Sequence, residues 1–600
     1  MTEYAAAPVV APTLARQSLF RRLLRNPVAV AALAFLAVVA VVAVVGRWIA
    51  PVDPTLSSLQ LVVADPSAAH PLGGDSAGRD VLSRLLSATQ ISIAGALLAL
   101  VVALLVGVVG GLIAGYYGGL FDTVSSWLTA IVMALPAIVV LLAARAALGP
   151  SIWVSMAIFG VLLSPAFFRL VHVSVRAVRD ELYVDAARVA GLSDARIIGR
   201  HILGVVRAPI IIQSAVLLGI AIAVQSGLEF LGLGDQAVPT WGGMLNDGFA
   251  QIYRAPVLML WPSLAIGLTS MALVLVANAA RDELERSAPR ARARRPPAAG
   301  SDTRVDRPAM ILHPDDRRTS ALDTDVLLRV RNLVVAYDRE GEGSTEVVKG
   351  VDLEVRRGEV HGLIGESGSG KTQTAFAILG LLSSGGHIEA GSIEFAGDRL
   401  DEGGEGSYAR VRGRRIAYVP QEPMSNLDPS FTIGSQLVEP MRVVLGLSRG
   451  EARSRALALL ERVGIPDPAH AFAAYPHEIS GGMAQRVLIA GAVSCDPELV
   501  IADEPTTALD VTVQAEVLDL LRDLQRERGM AVLIVTHNFG VVADLCDRVS
   551  VMQSGRIVES GPVDAIFDHP EHEYTCSLLG AILEDGDARK PLESHKEITR

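Results

Sequence analysis

Long uncharged stretches in the first half of the chain limit what it can fold into more than any other feature. The first runs from Val28 to Val45 without a polar residue, and as a helix it would be about 27 Å long, close to the thickness of a bilayer core. Five more are each long enough for a spanning helix, and they lie between Gln90 and Asp122, Asp122 and Arg145, Arg145 and Arg169, Arg207 and Glu229, and Arg254 and Arg281. We therefore predict six membrane-spanning helices.

Two of these stretches allow alternative interpretations. Four arginines precede the first, as in a signal peptide, but its apolar run is longer than a usual signal-peptide core, which favours a retained span. In the second, Gly107, Gly111 and Gly115 recur at four-residue steps, which would let another helix approach closely, although membrane helices also tolerate glycine without such a role. Pro136 and Pro165 would kink the third and the fourth.

The arginines predict how the six helices are oriented. With the N-terminus in the cytoplasm, seventeen arginines lie inside, four before the first span, seven in residues 169–207 and six in residues 281–295, and five lie outside. Cationic loops resist translocation, so both ends of the membrane region are predicted to be cytoplasmic.

Charge and composition divide the chain near residue 300. Residues 1–300 contain 22 arginines, no lysine and 16 acidic residues, a net charge of +6, whereas residues 301–600 have a net charge of -17. Residues 281–325 are rich in Ala, Arg and Pro without an apolar period, which predicts a disordered tether. An acidic second half argues against nucleic-acid binding driven by bulk charge. The three cysteines are at no metal-ligand spacing and do not predict a metal centre.

The second half of the chain contains a pattern typical of a phosphate-binding loop. A short apolar run, residues 360–364, precedes the segment Gly365, Glu366, Ser367, Gly368, Ser369, Gly370, Lys371 and Thr372, and a helical pattern follows. Such a loop turns its N–H groups onto phosphates, while its lysine neutralises the β and γ oxygens and its hydroxyl binds Mg²⁺. ATP and Mg²⁺ are therefore the predicted cofactors.

Two further segments fit the same chemistry. An apolar strand ends in Asp503 and Glu504, which could hold Mg²⁺ and activate a water molecule, respectively. A small-residue turn enters a helix at Ser480, Gly481, Gly482, Met483 and Gln485. A nucleotide held by the phosphate loop of this chain cannot also use this turn. The turn is therefore predicted to serve the nucleotide of a facing subunit.

Residues 327–580 resemble an ABC-transporter ATPase, with its motifs in order. The resemblance implies that Tyr337 stacks on adenine, that Gln421 of the Q-loop contacts Mg²⁺ and the attacking water, and that His537 is the switch histidine. Residues 480–485 correspond to the signature motif, and Asp510 ends the D-loop. The implied catalytic residues are Glu504, His537 and Gln421, and the implied Mg²⁺ ligands are Thr372, Asp503 and Gln421.

The signature motif and the closing segment of the ATPase half indicate one subgroup of the ABC-transporter ATPases. The signature starts with Ile479 and carries Met483, and a methionine there is common in ATPases of the peptide/nickel group. The segment IFDHPEHEYTCSLL, residues 566–579, is similar to the closing segment of the same group. The cysteine cluster of some members is missing, so no iron–sulfur centre is expected.

Residues 20–285 resemble the C-type permease subunit of dipeptide/oligopeptide importers. The matching segments are HPLGGDSAGRDVLSRLL (70–86), LIAGYYGGLFD (112–122), YVDAARVAGLSDARIIGRHIL (183–203), EFLGLG (229–234) and WGGML (241–245). The third contains the coupling motif, whose residues here are Asp185, Ala186, Ala187 and Gly191. Asp185 replaces the usual Glu, and Gly204 stands where the family has Pro, which puts the end of this helix in doubt.

Two other classes of protein are weighed against an importer. Six spans and one ATPase in 600 residues is also the layout of an ABC exporter half-transporter, but an exporter needs two long cytoplasmic loops and residues 116–123 are too few for one. A membrane-tethered regulatory ATPase would not need the permease-like segments at 70–86 and 241–245. Nickel or another small solute remains an alternative to peptide.

The resemblance implies a multi-domain chain, in which a six-span α-helical permease precedes an α/β P-loop ATPase in the cytoplasmic membrane. Its function would be ATP-driven import of di- or oligopeptides. The expected partners are a second, B-type permease, a second, F-type ATPase, an extracytoplasmic solute-binding protein, the peptide substrate and membrane lipid, with no nucleic acid. A homodimer of this chain remains an alternative to this heteromer. The predicted regions are an N-terminal segment 1–27, a permease 28–280 with a coupling loop 169–208, a linker 281–325, an ATPase 326–582 and a tail 583–600.

Overall fold

The computed structural model describes residues 23–235, 238–287, 311–312, 325–339, 343–383, 385–507 and 511–580. It separates into two compact units. The first consists of Met1–Arg179 and Ile202–Ala299, and the second of Asp180–His201 and Gly300–Arg600. The segment that carries the coupling motif thus belongs to the second unit, although the chain enters and leaves it through helices of the first.

The first unit is helical. Its helices are α1 (Pro27–Ile49), α2 (Val81–Tyr117), α3 (Gly119–Ala134), α4 (Ala137–Leu148), α5 (Ile152–Arg179), α7 (Leu203–Leu228), α8 (Trp241–Ala250) and α9 (Val257–Ser287). Five helices of the described residues are long and apolar enough to cross a membrane, and α3 and α4 form a bent pair that supplies a sixth crossing if counted as one span. Large apolar side chains such as Val38, Val41 and Val44 are about 60% exposed, as expected of a surface that faces lipid.

Three local differences from the sequence-based expectations have simple causes. The third predicted span bends by 85° between α3 and α4, where Pro136 cannot continue the helical hydrogen bonding of α3. The predicted loop 169–208 is shorter than expected, because α5 continues to Arg179. Gly204 ends no helix, since it lies in the first turn of α7, which follows directly on the π-helical turn Ile197–Ile202.

The glycine series in α2 packs against α5. A Cβ at Gly107 would lie 2.4 Å from the carbonyl oxygen of Ser164, one at Gly111 2.9 Å from that of Phe168, and one at Gly115 2.8 Å from Cβ of Val175. The helices can approach this closely only because these three positions lack side chains. The expected close approach of another helix is therefore confirmed.

The second unit is built on two sheets. Its strands are β1 (Ile311–Leu312), β2 (Val326–Arg339), β3 (Gly343–Arg356), β4 (Val360–Ile364), β5 (Gly386–Phe395), β6 (Asp398–Arg399), β7 (Ile416–Val419), β8 (Leu499–Asp503), β9 (Ala531–Thr536), β10 (Arg548–Gln553) and β11 (Arg556–Pro562). One sheet has the order β1-β11-β10-β4-β9-β8-β7 and the other β3-β2-β5-β6.

Helices pack on the larger sheet, and one face of that sheet also packs against the smaller sheet. The helices are α10 (Lys371–Leu379), α11 (Glu405–Val411), α12 (Pro423–Asn426), α13 (Ile433–Val444), α14 (Arg449–Arg462), α15 (Pro468–Ala473), α16 (Gly481–Ala492), α17 (Val511–Arg528), α18 (Phe539–Leu545), α19 (Val563–Asp568) and α20 (Glu573–Gly580), and the coupling segment adds α6 (Leu182–Val189). Alternate residues of one strand enter two different cores: Val532 and Ile534 join one, and Leu533 and Val535 the other. A parallel strand buried on both faces explains these continuous apolar runs.

The fold brings the candidate residues together at one edge. Strands β4, β9, β8 and β7 are neighbours and run parallel. Their carboxyl ends therefore meet, and these ends lead into the phosphate loop, His537, Glu504 and Gln421, respectively. Such an edge is the usual ligand site of a parallel α/β sheet.

Candidate active site

The phosphate loop connects β4 to α10 in a conformation that requires glycine. Gly368 and Gly370 have φ angles of 86° and 104°, in the left-handed region. A Cβ at Gly365 would lie 2.1 Å from the carbonyl oxygen of Met552, whereas one at Gly368 would meet nothing within 4 Å. The backbone is thus packed tightly where the loop leaves the strand and is open at Gly368, where a phosphate could approach.

Lys371 is buried and bonded to its own loop. Its Nζ donates to the carbonyl oxygens of Gly365 and Glu366, at 2.8 Å each, and lies 3.5 Å from Oγ of Ser369. Burial lowers the pKa of Lys371, and the nearby carboxylates of Glu504 and Asp503 oppose that effect. The ammonium group is therefore held at the loop by weak acceptors that stronger, anionic oxygens could replace.

Asp503 is a buried carboxylate with two hydroxyl groups beside it. Its Oδ1 accepts a hydrogen bond of 3.3 Å from Thr372, and its Oδ2 lies 3.5 Å from the Tyr418 hydroxyl. Burial raises the pKa of Asp503 to about 6, more than the hydrogen bond from Thr372 lowers it. A buried carboxylate beside a hydroxyl is a donor set that fits a hard divalent cation.

Glu504 is fixed by three side chains. His537 Nδ1 lies 2.9 Å from Oε1, while Gln421 Nε2 and Thr507 Oγ1 donate to Oε2 at 2.7 and 2.8 Å. Burial alone would raise the pKa of Glu504, but the hydrogen bonds from His537 and Thr507 outweigh it and leave the pKa below its usual value. This carboxylate is therefore ionised at neutral pH and can accept a proton.

The backbone at Glu504 is strained. Its φ is 47°, which non-glycine residues rarely adopt and which costs about 1–3 kcal/mol. The amide N–H donates to the carbonyl oxygen of Val535 at 2.8 Å, which holds the residue in this conformation at the end of β8. The strain directs the carboxylate away from the strand and towards His537 and Gln421.

Tyr337 lies near the end of β2, beside α10. Its hydroxyl donates to Oε1 of Gln373 at 2.5 Å and accepts from Oγ of Ser383 at 3.2 Å. The ring packs against Gly386, where a Cβ would lie 2.6 Å from the ring carbon Cε1. The two hydrogen bonds and the contact with Gly386 hold the ring in place beside α10.

The signature turn is open to solvent. Ser480 begins α16, and its Oγ accepts a hydrogen bond of 3.3 Å from the Met483 N–H. Ser480 and Gly481 are exposed, and a Cβ at Gly481 would meet nothing within 4 Å. Gln485 is buried, with no hydrogen-bond partner at Nε2 among the described residues. Asp510, predicted for the D-loop, lies outside the described residues.

The coupling motif packs against the ATPase part of the second unit. Asp185, Ala186 and Ala187 lie on α6, and Gly191 follows it with a φ of 80°. A Cβ at Gly191 would lie 3.0 Å from the carbonyl oxygen of Arg412, and one at Gly413, 2.4 Å from the carbonyl carbon of Ala190. The turns at Gly191 and Gly413 are therefore in direct backbone contact.

Asp185 itself is paired within the motif. Its Oδ1 accepts a hydrogen bond of 3.0 Å from Arg188. Burial raises the pKa of Asp185, and Arg188 opposes this. The replacement of the usual glutamate by aspartate is therefore compatible with a docked helix.

Comparisons with known proteins cover both units. Residues 348–507 match the family model for the ABC transporter, residues 107–288 that for the binding-protein-dependent transport system inner membrane component, and residues 15–68 that for the N-terminal TM domain of oligopeptide transport permease C. A putative peptide import ATP-binding protein of Brucella melitensis is 53% identical over 40% of this chain and 73% of its own length. The chain belongs to the ABC transporters.

Two further relatives match the ATPase part of this ABC transporter. The dipeptide transport ATP-binding protein DppD of Escherichia coli is 42% identical over 45% of this chain and 82% of its own. The glutathione import ATP-binding protein GsiA of Salmonella typhimurium is 44% identical over 45% of this chain and 44% of its own. The transporter thus joins a membrane permease and an ATP-binding subunit in one chain and couples ATP hydrolysis to transport, which confirms the family and the fusion predicted from the motifs.

The structure also reveals contacts of the transporter that the sequence did not suggest. Tyr418 reaches Asp503 because it lies near the end of β7, next to β8. Tyr574 accepts a hydrogen bond of 3.3 Å from the Glu366 N–H, so the closing segment contacts the phosphate loop. Asp428 and Glu439, which contact His201, carried no motif at all.

Proposed function

We propose that the chain is the fused permease and ATPase of a binding-protein-dependent importer of di- or oligopeptides. The observation that carries this is the joint match of the oligopeptide permease C model and of relatives named for peptide, dipeptide and glutathione import. The binding-protein-dependent permease match favours import over an exporter half-transporter. The arginine distribution supports an orientation with the N-terminus and the ATPase in the cytoplasm.

ATP would bind at the phosphate loop. Lys371 would exchange the carbonyl oxygens of Gly365 and Glu366 for phosphate oxygens, which are anionic and therefore stronger acceptors. The N–H groups around Gly368 would donate to the same phosphates, and Tyr337 would stack on the adenine.

Thr372, Asp503 and Gln421 would hold Mg²⁺. When bound, the ion would offset the negative charge of the β and γ phosphates. The raised pKa of Asp503 supports this assignment, because it indicates a buried carboxylate that would be stabilised by a nearby cation.

Glu504 would take a proton from the attacking water. His537 and Gln421 would keep its two oxygen atoms oriented, and the ionised state that these contacts favour is the one that can act as a base. Each of the three residues would thus have a defined role. Glu504 would accept the proton, and His537 and Gln421 would position the Glu504 carboxylate.

One copy would not complete a catalytic site. The exposed signature turn at Ser480 would serve ATP held by a second ATPase, and the permease would need a second permease to enclose a pathway. We therefore propose a B-type permease, an F-type ATPase and a solute-binding protein as partners. Closure of the ATPases would move α6 and, through it, the spans.

Uptake of labelled peptides by cells with and without this gene tests the proposal. Dipeptide and oligopeptide uptake should be lost in the deletion strain, and it should be restored by the wild-type gene but not by Glu504→Gln. Glu461→Gln, which changes an exposed carboxylate of the same unit, should restore it fully. Loss of nickel uptake with unchanged peptide uptake would instead favour nickel as the substrate.

A further inference from the structure

A buried histidine ends the part of the coupling segment that belongs to the second unit. His201 is 4% exposed, and its Nδ1 lies 2.8 Å from Oδ2 of Asp428. Its Nε2 lies 3.7 Å from Oε2 of Glu439. Both carboxylates are buried as well, so one imidazole faces two acidic groups away from solvent.

The charge of this cluster balances only when the imidazole is protonated. Arg200 supplies one permanent positive charge to the cluster. Its Nη1 lies 3.2 Å from Oε1 of Glu439, and its guanidinium lies 4.8 Å from the Phe431 ring centre. The two carboxylates therefore carry one negative charge more than Arg200 neutralises. A buried, unpaired carboxylate is strongly destabilising, and a protonated His201 would remove that cost.

The titratable and charged groups of this cluster come from several elements. They are Tyr183 on α6, Asp428 after α12, Glu439 on α13 and Arg200 in the same turn as His201. Burial and the neighbouring Asp428 raise the pKa of Tyr183, so its hydroxyl stays neutral. Among these groups, His201 is the one whose ordinary pKa lies near neutral pH.

We propose that His201 is a protonation-dependent latch, which holds the coupling segment on the ATPase and makes the coupling of hydrolysis to transport depend on pH. This rests on the proposed function, because coupling can be measured only in a working importer. His201 is a positioning residue here, since it touches neither nucleotide nor the reacting atoms.

The sign of the pH effect follows from the environment of His201. Burial alone would lower its pKa, but the hydrogen bond to Asp428 and the negative charges of Asp428 and Glu439 raise it to about 8, from 6.5 for an unperturbed histidine. Docking is therefore fully stabilised below pH 6.5 and loses this stabilisation as the pH rises through about 8. The rise of the His201 pKa from 6.5 to about 8 corresponds to about a thirtyfold change in the docking equilibrium.

His201 lies outside the span that follows it. The helical stretch Asp194–Leu233 has 40 residues, with a break near its end at Gly232, and would be about 60 Å long, twice the thickness of a bilayer core. The apolar stretch itself begins after Arg207. The first turns, including His201, can therefore stand on the ATPase side of the membrane and respond to cytoplasmic pH.

The test uses the full-length chain with its partner subunits and binding protein in proteoliposomes. The measured quantity is ATP hydrolysed per labelled peptide taken up, from about pH 6 to about pH 9. In the wild type this ratio should rise with a midpoint near pH 8. Asp428→Asn should move the midpoint to lower pH, because it removes a carboxylate that stabilises the protonated imidazole.

Two substitutions at His201 separate a latch from a merely structural role. His201→Gln should be uncoupled at every pH with basal ATP hydrolysis retained. His201→Arg should stay coupled above pH 8, because arginine remains charged and His201 borders a cavity of about 120 Å³ that can take a longer side chain. His470→Gln, at an exposed histidine of the same unit, should behave as wild type.

A second measurement needs neither transport nor partners. Hydrogen exchange of residues 180–201 in the full chain, corrected for intrinsic rates, should show up to about thirtyfold weaker protection at pH 9 than at pH 6 in the wild type. His201→Arg should show no such loss. Equal protection and equal coupling at both pH values in the wild type would overturn the latch. pH-dependent protection with no peptide uptake at any pH would support the latch and refute the proposed function.

Discussion

His537 Nδ1 lies 2.9 Å from Oε1 of Glu504, across the carboxyl ends of two neighbouring strands. Glu504 ends β8 in a left-handed conformation, while His537 follows β9 and is more than half exposed. The pair thus joins a rigid carboxylate to a side chain that is open to solvent. A nucleotide bound above the sheet edge would meet both.

Replacing Glu504 with Gln should abolish turnover while ATP binding persists. The amide keeps the shape of the side chain but cannot accept a proton, so the hydrolysis rate should fall by about 10²–10⁴-fold. Nucleotide binding and phosphate release measured on the same preparation check this. Sustained hydrolysis in this variant, with Glu461→Gln as the matched control, would contradict the role of Glu504 as base.

Replacing Tyr337 with Ala should weaken ATP binding. Loss of base stacking costs about 1–3 kcal/mol, which corresponds to roughly 5- to 150-fold in the dissociation constant. Tyr337→Phe keeps the ring and loses only the bonds to Gln373 and Ser383, so it should bind ATP nearly as well as wild type. Equilibrium titration provides the measurement. Tripolyphosphate, which lacks a base, should bind all three proteins equally, and a drop in its affinity for Tyr337→Ala would point to a distorted site instead.

Replacing Gly191 with Ala should uncouple uptake from hydrolysis. The new Cβ would lie 3.0 Å from the Arg412 carbonyl oxygen, at a φ of 80° that costs alanine about 1–3 kcal/mol. Docking of the segment should weaken by roughly 5- to 150-fold. Peptide uptake and basal ATP hydrolysis are measured together.

Gly199→Ala is the matched control for this change, because its Cβ would meet nothing within 4 Å. The control should leave both activities unchanged. If Gly191→Ala supports normal uptake, the coupling assignment of this segment is wrong.

Replacing Gly107 with Ala should destabilise the first unit. A Cβ there would lie 2.4 Å from the Ser164 carbonyl oxygen, so α2 and α5 would have to separate at a cost of about 1–3 kcal/mol. Heating the detergent-solubilised chain and following the loss of monodisperse protein should give a lower midpoint. Gly227→Ala, in open space on α7, should keep or raise the midpoint. Equal midpoints would show that α2 and α5 do not depend on this close approach.

Much of the fold follows from local patterns. The apolar stretches predicted the spans because hydrophobicity over about twenty residues decides insertion. The glycines at 107, 111 and 115 predicted a close helix contact, but only the structure identifies α5 as the partner. The bend at Pro136 has a local signal in the proline, whereas its angle of 85° depends on packing.

Most residues of the candidate nucleotide site could also be predicted from the sequence. The phosphate loop carries its own conformation in its glycines, and strand ends with Asp503, Glu504 and His537 could be recognised one by one. Their mutual distances could not, because Glu504 and His537 are 33 residues apart and meet only through the order of β8 and β9.

Local sequence patterns were enough to identify the segments that are apolar enough to span and the loop that can hold phosphate. The contacts of His201 with Asp428, 227 residues away, and of Gly191 with Gly413 became visible only in the three-dimensional structure. The physical reason is that hydropathy and backbone conformation depend on neighbouring residues. Buried charge pairs and backbone contacts depend on how distant elements pack, which no spacing within a segment specifies.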